Sequence, residues 1–522
     1  MTVQDQVIEF LSTTSAYALP DHGCSGFVPS VERRETHISI VFLVGQLAYK
    51  MKRAIKYPYL DFSTLGHRRE LCEREVQING RTAPDIYRGV VPVTRDENGC
   101  FALNGSGVVV EWLVAMNRFD DSLLWSNLAQ GERLGRRDFD VLADRVDRFH
   151  SIAEVCDGRS AVAAMADTID GNEQSMADHV GGVFEVKTVS AVAAQTRHAF
   201  DGLKALLATR AENGSIRVCH GDLHLGNIFM DDGNPVLFDA IEFNDAFSHI
   251  DTAYDFAFLL MDVEHRVGKR RATGLMNRYL DHQDDRTVLT VLPFFMSVRA
   301  AIRAHVSASA AAQHADPSSA SNLRNHAVRY LDHAISCLQP VPPCLVAVGG
   351  LSGSGKSRMA RVIAGAMSGA PGSRVVRSDT VRKRLAGRAF DERLPSESYT
   401  AASSARTYDA CMTEARQVLQ SGAPVVLDAV FSKPEERFAA RALADELGVP
   451  FHGLWLEAPL SVMLQRVEKR RHNPSDADGA VVSLQSDYDL GEIDWDRIDS
   501  SGEKERTETV GFKLLGLEPS AE

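Results

Sequence analysis

Eight residues in the last third of the chain could wrap around a phosphate group. They read GLSGSGKS and fit the pattern G-x-x-x-x-G-K-S. Glycines let such a loop turn tightly and point its amide hydrogens at an anion. The lysine reaches the β- and γ-phosphate oxygens, and the serine hydroxyl ligates Mg²⁺. The residues predicted to hold ATP and its metal ion here are Gly350, Gly353, Ser354, Gly355, Lys356 and Ser357.

Acidic and basic residues follow this loop at positions that suit phosphoryl transfer. Asp379 comes just past the strand-like segment RVVRS, and we predict that it takes the proton of a substrate hydroxyl. The alternative is that Asp379 caps the helix that follows. Basic residues on the next turn are predicted to hold an anionic substrate or the moving phosphoryl group: Arg382, Lys383 and Arg384. Asp428 ends the strand-like PVVLD and is predicted to hold magnesium or its water shell.

The segment LSVMLQRVEKRRHN predicts a basic helix further along the chain. Arg466 and Arg470 are four residues apart and would lie on one face of that helix. Arginines on a lid over the phosphates stabilise the charge that moves in phosphoryl transfer. We predict that catalytic role for both arginines, and the alternative is a solvated basic helix.

A second set of such residues stands well before the first. The stretch HGDLHLGN, His220 to Asn227, fits H-x-D-L-x-x-x-N, the spacing of a kinase catalytic loop, except that Gly221 replaces arginine. Asp222 is the predicted base that orients an acceptor hydroxyl and takes its proton. Asn227 is a predicted Mg²⁺ ligand, and so is Asp239 at the end of the strand-like PVLFD.

The segment LAYKMK offers a lysine to the α- and β-phosphates of the same nucleotide. Lys50 and Lys52 both fit, because alternate residues of a strand point to one face, and we prefer Lys50. Glu75 is the predicted carboxylate partner, with Glu70 or Glu73 as alternatives. No G-x-G-x-x-G phosphate loop precedes this strand in the sequence.

These residues require two different scaffolds. Residues 36–56 and the segments GVVPV and SGVVVEWLV are rich in β-branched residues and predict strands. The segment STLGHRRELCEREVQINGRTAP predicts a helix with Ser63 or Thr64 as its N-cap. Small, polar SASAAAQHADPSSASN predicts a loop between later helices. Beyond LQPVPPC, strands alternate with helices, and this order predicts a parallel sheet.

A chain of 522 residues is too long for one ordinary domain. The three prolines of LQPVPPC predict the joint between two domains. We therefore expect one domain at residues 1–338, with lobes at about 1–115 and 116–338, and a second at 339–522.

Composition narrows the class of protein. A formal net charge of −13 without a long basic block argues against a general binder of nucleic acids or membrane surfaces. Eight scattered cysteines without a C-x-x-C pair favour reduced thiols. The opening MTVQDQVIEF does not have the pattern of a signal peptide, and no apolar run approaches the length of a membrane span. We expect a cytoplasmic protein without a membrane partner.

The motifs also resemble two known families. Pro343 to about Leu490, through SDTVRKRL and RVEKRR, looks like the small P-loop kinases of the AAA_33 type. Roughly Thr36 to Ile335 looks like the aminoglycoside phosphotransferase family, which includes choline and fructosamine kinases. The resemblance implies an α/β and α+β protein of two domains. The first would have a bilobal protein-kinase-like fold, and the second would be a P-loop NTPase with helices on both faces of a parallel sheet.

Together the halves resemble bacterial proteins that fuse these two kinds of kinase. The resemblance implies ATP, Mg²⁺ and transfer of the γ-phosphoryl group to an alcohol. We expect two candidate nucleotide sites and a small acceptor such as a sugar, an aminoglycoside-like molecule or a nucleotide sugar. Two alternatives stay open: one half is a non-catalytic regulatory nucleotide binder, or the P-loop half is an ATPase switch. The sequence leaves the oligomeric state undetermined.

Overall fold

A computed structural model of the protein describes residues 2–17, 30–57, 59–469 and 475–518, without the side chains of residues 396 and 397. The helices are α1 Val3–Leu11, α2 Leu65–Asn79, α3 Trp125–Gln130, α4 Arg136–Ile152, α5 Ala161–Ala177, α6 Val186–Glu212, α7 Asp245–Ser248, α8 Thr252–Arg266, α9 Lys269–His282, α10 Val288–Gln313, α11 Pro317–Cys337, α12 Lys356–Ala366, α13 Ser378–Leu385, α14 Ala401–Gln420, α15 Pro434–Leu447, α16 Leu460–Glu468, α17 Gly479–Ser486 and α18 Lys504–Leu515. The strands are β1 Glu32–Glu35, β2 Ser39–Val44, β3 Leu47–Lys52, β4 Lys56–Tyr57, β5 Leu60–Asp61, β6 Tyr87–Arg95, β7 Phe101–Leu103, β8 Val108–Asn117, β9 Ile216–Val218, β10 Ile228–Asp231, β11 Asn234–Leu237, β12 His249–Asp251, β13 Leu345–Gly349, β14 Arg374–Arg377, β15 Val425–Asp428, β16 Phe451–Glu457 and β17 Asp496–Asp499.

The chain forms two compact units, and each is assembled from separate stretches. The first unit contains Met1–Leu134, Phe149–Ala161 and Arg210–Asp255. The second contains Gly135–Arg148, Val162–Thr209 and Phe256–Glu522. Helices α9 to α11 thus belong to the same compact unit as the phosphate loop. The division into domains at residue 338, where the motifs change, stays a prediction from the sequence.

The first unit is built on an antiparallel sheet in the order β1-β2-β3-β8-β6-β7. Alternate residues of β2 and β3, such as Phe42 and Met51, are fully buried on one face, as period-two sequences require. Helix α2 begins after Thr64, whose side chain accepts a hydrogen bond from the amide of His67. The strands and the helix predicted for this region are confirmed. Their packing fixes β3, which carries the two lysines, opposite β8.

The second unit is built on the predicted parallel sheet, in the order β14-β15-β13-β16-β17. Strand β13 is buried along its whole length, as expected for a strand covered on both faces. Because parallel strands end at the same edge of a sheet, the loop after β13 and the end of β15 come together there. This edge carries the residues predicted for the second nucleotide site.

Helix α10 departs from two expectations. It is long and apolar enough to cross a bilayer, although most of it is buried within the protein. The prediction that no apolar run approaches that length was therefore wrong. The predicted loop SASAAAQHADPSSASN is also mostly helical, because α10 continues to Gln313 and α11 begins at Pro317. Alanine has a high helix propensity, and Asp316 caps α11 by accepting from the amide of Ser319.

Helix α9 packs beside the parallel sheet and holds its edge strand β14. The side-chain oxygen of Asn277 accepts a hydrogen bond from the amide of Val375 at 2.7 Å. Arg374, which is almost completely buried, pairs with Asp281 at 2.7 Å and with Glu414 at 2.8 Å. These contacts satisfy polar groups that an open sheet edge would leave unpaired. They also fix the strand that leads into helix α13.

Candidate active sites

Strand β3 carries both lysines of the first candidate site. The Nζ atom of Lys50 donates to Glu75 Oε1 at 2.8 Å and to Asp239 Oδ1 at 2.7 Å. The Nζ atom of Lys52 donates to Glu75 Oε2 at 2.5 Å and also to Glu242. The side chain of Lys52 is 1% exposed and that of Lys50 is 15% exposed. Lys50 is therefore the lysine that a ligand can reach.

Two lysines and their carboxylates control the charge of this site. Burial alone would raise the pKa of Glu75, but Lys50 and Lys52 outweigh it and lower that pKa to about 2. Burial also opposes the charged form of Lys50, yet Asp239 and Glu75 hold its pKa well above the ordinary value. Glu75 is thus an anion near neutral pH, and Lys50 keeps the positive charge that a phosphate requires.

The structure decides between the alternative carboxylate partners of the lysines. Glu70 and Glu73 are exposed, and Glu73 pairs with Arg69 on the outside of α2. Glu242, the second partner of Lys52, was not predicted from the sequence. Its position three residues after Asp239 could have indicated that it lies near the lysines. Burial raises the pKa of Glu242, and its ion pair with Lys52 only partly offsets this.

The segment that carries Asp222 is held by a buried carboxylate. Asp255 accepts hydrogen bonds from the amides of His220 at 3.0 Å and Gly221 at 2.9 Å. Gly221 has a φ of +84°, and a Cβ atom there would lie 2.5 Å from the carbonyl oxygen of Phe247. An arginine at this position, as in protein kinases, would be strained and would collide with the backbone. The departure from the kinase pattern thus has a steric cause.

Asp222 and Asn227 contact each other directly. The side-chain Nδ2 atom of Asn227 donates to Asp222 Oδ2 at 2.9 Å and to the Asp222 carbonyl oxygen at 3.0 Å. This leaves the amide oxygen as the Asn227 atom that suits a cation. The side chain of Asp222 is 38% exposed and that of Asp239 is 44% exposed. Both carboxylates are therefore accessible on a framework that is otherwise buried.

Backbone hydrogen bonds join the loop of Asp222 to the segment of Asp239. The amide of Ile241 donates to the His220 carbonyl at 2.9 Å, and the amide of Phe238 donates to the Asn227 carbonyl at 3.0 Å. Asp239 itself has a left-handed φ of +61°, which few non-glycine residues adopt. Such a conformation is often found at functional positions. The structure therefore brings Lys50, Glu75 and Asp239 together and joins them to Asp222 and Asn227. Their oxygens fit a hard cation such as Mg²⁺.

In the second unit, the phosphate loop has the geometry that its glycines predict. Gly350, Gly353 and Gly355 all have left-handed φ angles. A Cβ atom would lie 2.5 Å from the Leu456 carbonyl oxygen at Gly350, and 2.6 Å from the Met463 carbonyl oxygen at Gly353. Only glycine fits these positions, and a cavity of about 210 Å³ opens beside the loop. Its lining includes Gly353, Ser354, Gly355, Lys356, Ser357, Arg358, Arg361 and Arg466.

Asp428 closes strand β15 near this loop. Its Oδ2 atom accepts from Arg377 Nε at 3.0 Å. Its Oδ1 atom is buried without a hydrogen-bond partner among the described residues. A buried carboxylate oxygen without a partner is costly, and a cation or its bound water would satisfy it. The residue thus fits the predicted role with Mg²⁺.

Helix α13 places Asp379 in its first turn. The N-cap residue is Arg377, so Asp379 does not cap the helix. The basic residues after it have protein partners. Arg382 donates to the Ser398 carbonyl, Lys383 pairs with Asp476 and Arg384 pairs with Glu414. Their predicted role in holding an anionic substrate is weakened, because each is already held by other groups of the unit.

Of the two predicted lid arginines, Arg466 touches the phosphate loop. It donates to the Gly353 carbonyl at 3.4 Å and to the Ser500 carbonyl at 2.6 Å. Arg470 lies outside the described residues, and the helix predicted there ends at Glu468. The catalytic role of both arginines stays a prediction.

Comparisons with known proteins agree with this two-part organisation. Residues 65–291 match the model of the phosphotransferase enzyme family, and residues 345–488 match an AAA domain model. Uncharacterized protein Rv2004c of Mycobacterium tuberculosis (strain H37Rv) is 30% identical over 490 residues, covering 92% of this chain and 94% of its own. Uncharacterized protein Mb2027c of Mycobacterium bovis (strain AF2122/97) matches with the same identity and coverage.

Solved structures resemble each half separately. A choline/ethanolamine kinase family protein from Mesorhizobium loti is 11% identical with a TM-score of 0.37, covering 65% of this chain and 99% of its own. A GDP complex of aminoglycoside 2'-phosphotransferase-IIIa is 12% identical with a TM-score of 0.35, covering 64% and 99%. A sugar kinase from Janibacter sp. HTCC2649 is 20% identical with a TM-score of 0.27, covering 34% and 98%.

The predicted fold class and family resemblance are confirmed by the two family models and the near full-length relatives. The chain belongs to a family of two-part kinase-like phosphotransferases that joins a phosphotransferase-family domain to an AAA-type P-loop domain.

Proposed function

We propose that the protein is an ATP- and Mg²⁺-dependent kinase that moves the γ-phosphoryl group of ATP to a hydroxyl group of a small molecule. The observation that carries the proposal is the first site, where Lys50 contacts both Glu75 and Asp239. Backbone hydrogen bonds join these residues to the loop of Asp222 and Asn227. That arrangement supports the proposal, because on one framework it offers a cation to a phosphate, oxygens to a metal ion and a carboxylate that could act as a base.

In the first site, each residue would have a distinct task. Asp222 would accept the proton as the acceptor oxygen attacks the γ-phosphorus and the bond to ADP breaks. Lys50 would exchange its contact with Asp239 for the phosphates while Glu75 continues to hold it. Asn227 and Asp239 would hold Mg²⁺, which when bound neutralises phosphate charge. Catalysis would then consist mainly of positioning and charge stabilisation.

The second site would carry out phosphoryl transfer with a different set of residues. The loop amides and Lys356 would hold the β- and γ-phosphates, and Ser357 with Asp428 would hold Mg²⁺. Asp379 would serve as the base. Arg466, which contacts the loop at Gly353, would stabilise the negative charge of the phosphoryl group during transfer. Arg470 would assist from the segment outside the described residues.

The acidic balance of the chain favours a small acceptor over a long nucleic acid. We propose a sugar, an aminoglycoside-like compound or a nucleotide sugar, used in the cytoplasm. The net charge of −13 disfavours polyanions in general but leaves room for a single local basic site.

The test measures ATP consumption by the full-length protein with and without a panel of sugars and aminoglycosides. Wild type is compared with Asp222→Asn, Lys356→Ala and Asp231→Asn, the last being a control at an exposed acid at the end of β10. We expect acceptor-stimulated turnover that Asp222→Asn reduces about 1000-fold and the control leaves intact. Loss only in Lys356→Ala, with no acceptor effect, would instead identify the P-loop half as an ATPase switch.

Direct titration with Mg²⁺ and a non-hydrolysable ATP analogue separates binding from chemistry. Two binding events are expected, of which Lys356→Ala removes one and Lys50→Ala weakens the other. Binding at the first site without turnover under any acceptor would show that this half is a regulatory module. Failure of the wild-type protein to bind any nucleotide would refute the kinase proposal.

A further inference from the structure

Arg361 is a cation of the second site that no task above employs. It lies on α12 one helical turn after Ser357, and therefore on the same face of that helix. Its side chain lines the cavity beside the phosphate loop. Among the described residues, the Arg361 guanidinium makes no hydrogen bond and no ion pair. The side chain of Arg361 is partly buried, and its guanidinium can offer five N–H donors to a ligand in that cavity.

The carboxylates that act on Arg361 are already paired with other arginines. Asp428 accepts from Arg377 at 3.0 Å. Asp140 pairs with Arg136 at 3.1 Å, four residues earlier on α4. Among the described residues, each of the two carboxylates that act most strongly on Arg361 thus has another arginine as its direct partner.

The surroundings of Arg361 lower its pKa, as expected for a guanidinium that has no anion beside it. Burial, followed by the positive charges of Arg377 and Arg136, lowers the pKa of Arg361 to about 9, although Asp428 and Asp140 oppose this. An anion in contact with the guanidinium would reverse both effects by supplying charge and hydrogen-bond acceptors. Carboxylate and phosphate oxygens match the planar fork of an arginine best.

We propose that Arg361 binds an anionic group, a carboxylate or a phosphate, on the hydroxyl acceptor of the P-loop site. The inference rests on the proposed function and deepens it by naming the class of acceptor. In the proposed P-loop site, the loop amides, Lys356 and Arg466 would bind the nucleotide phosphates. The basic residues of α13, including Lys383 and Arg384, are occupied by Asp476 and Glu414. Arg361, on the lining of the cavity, therefore remains open to an anionic group of the acceptor.

The binding test uses the full-length protein saturated with Mg²⁺ and AMPPNP, so that the γ-phosphate position is filled. Inorganic phosphate in one arm and gluconate in the other are titrated by calorimetry. We expect at least one anion to bind wild type, and Arg361→Gln to weaken that binding at least about tenfold. Arg361→Lys should retain part of the affinity, because it keeps the charge without the planar fork.

Arg358→Gln is the matched control. Arg358 lies on the same helix and lines the same cavity, but it pairs with Glu508 at 2.6 Å. We expect this variant to bind the anions like wild type. Equal anion affinity in wild type and Arg361→Gln would overturn the proposal, as would an equal loss in Arg358→Gln.

The melting temperature of Arg361→Gln shows whether a loss of anion binding is caused by unfolding. Without any anion, Arg361→Gln should melt no lower than wild type, because the substitution removes a charge without a partner. A marked fall in melting temperature would show that Arg361 supports the fold instead. Phosphoryl transfer to gluconate against glucose, and to glycerol 3-phosphate against glycerol, then distinguishes carboxylate from phosphate as the preferred group.

The outcomes separate this inference from the proposed function. If AMPPNP binds but neither anion does, the inference fails and the kinase proposal stands. If wild type binds no AMPPNP at the P-loop site, the proposed function fails for that half and the inference fails with it.

Discussion

In the first unit, both lysines of the candidate site are paired with carboxylates. Lys50 and Lys52 share Glu75, and each has a second carboxylate in Asp239 or Glu242. A nucleotide entering this site must therefore replace an existing ion pair.

The second unit contrasts with this arrangement. Beside its phosphate loop, Arg361 has no carboxylate of its own among the described residues, and one oxygen of Asp428 has no hydrogen-bond partner. Ligands entering this site add contacts without breaking an ion pair at Arg361. The two candidate phosphate sites of the chain are thus prepared in opposite ways, one by internal ion pairs and the other by groups without such pairs.

The paired clusters give the largest expected effects. Glu414 accepts from Arg374 and Arg384 and also pairs with Arg286, and all three carboxylate–arginine contacts lie within the second unit. Burial would raise the pKa of Glu414, but these arginines lower it to about 2. Glu414→Gln should destabilise the protein by about 5 kcal/mol, because it leaves buried arginines without a counter-charge.

Chemical denaturation monitored in the second unit measures the effect of Glu414→Gln. The control is Glu446→Gln, whose partner Arg416 lies at the surface, and it should change stability far less than Glu414→Gln. Because the pKa of Glu414 is lowered on folding, its contribution should also disappear as the pH falls from 4.5 toward 2. Similar losses in the two variants would show that the Glu414 cluster does not stabilise the second unit more than a surface ion pair does.

The two lysines of β3 provide the next test. Lys52→Met leaves Glu242 buried without its cation and should cost about 3 to 4 kcal/mol of unfolding free energy. Lys50→Met should cost less stability, because Lys50 is more exposed, but it should reduce turnover at the first site about 100-fold. Thermal denaturation and acceptor-dependent ATP consumption separate the effects. The reverse pattern would assign the nucleotide to Lys52.

A buried acid in the second unit predicts a dependence of stability on pH. Glu264 has one carboxylate oxygen without a hydrogen-bond partner among the described residues. Burial raises its pKa from the ordinary 4.5 to about 7, although the charge of Lys269 opposes this. The folded state then keeps a proton that the unfolded state releases, so stability should fall by about 3 kcal/mol as pH rises from 4.5 to 7.

Denaturant midpoints across that pH range test the role of Glu264. Glu264→Gln should flatten this part of the profile, whereas Lys269→Met should steepen it by removing the compensating charge. A wild-type slope that persists in Glu264→Gln would mean that other groups cause it.

The smallest expected effect concerns the edge of the parallel sheet. Asn277→Ala removes the acceptor for the Val375 amide and should cost about 1 to 2 kcal/mol. Hydrogen exchange should quicken at β14 while β13, in the middle of the sheet, stays protected. Asp284→Asn, an exposed position after the same helix, is the control. Unchanged exchange at β14 would show that α9 does not support the strand leading to Asp379.

Motif spacing could predict much of both sites, because the spacing reflects backbone geometry. A strand, a glycine-rich turn and a helix place Lys356 and Ser357 at one helix end, and each step is local. The same holds for the contact of Asn227 with Asp222, five residues apart in one loop. Local patterns failed at the end of α10, where small and polar residues predict a loop but the chain is mostly helical.

The sequence by itself determined the two folds, the phosphate loop and the catalytic-loop pattern, since these depend on residues that are close along the chain. Only the tertiary structure decided that Lys52 pairs with Glu242 and that Asp379 does not cap its helix. It also decided that Arg361 has no paired carboxylate within the part of the chain that the structure describes. Those outcomes depend on which distant side chains fill the same space. The balance of buried charge is a property of that packing, and no spacing along the chain encodes it.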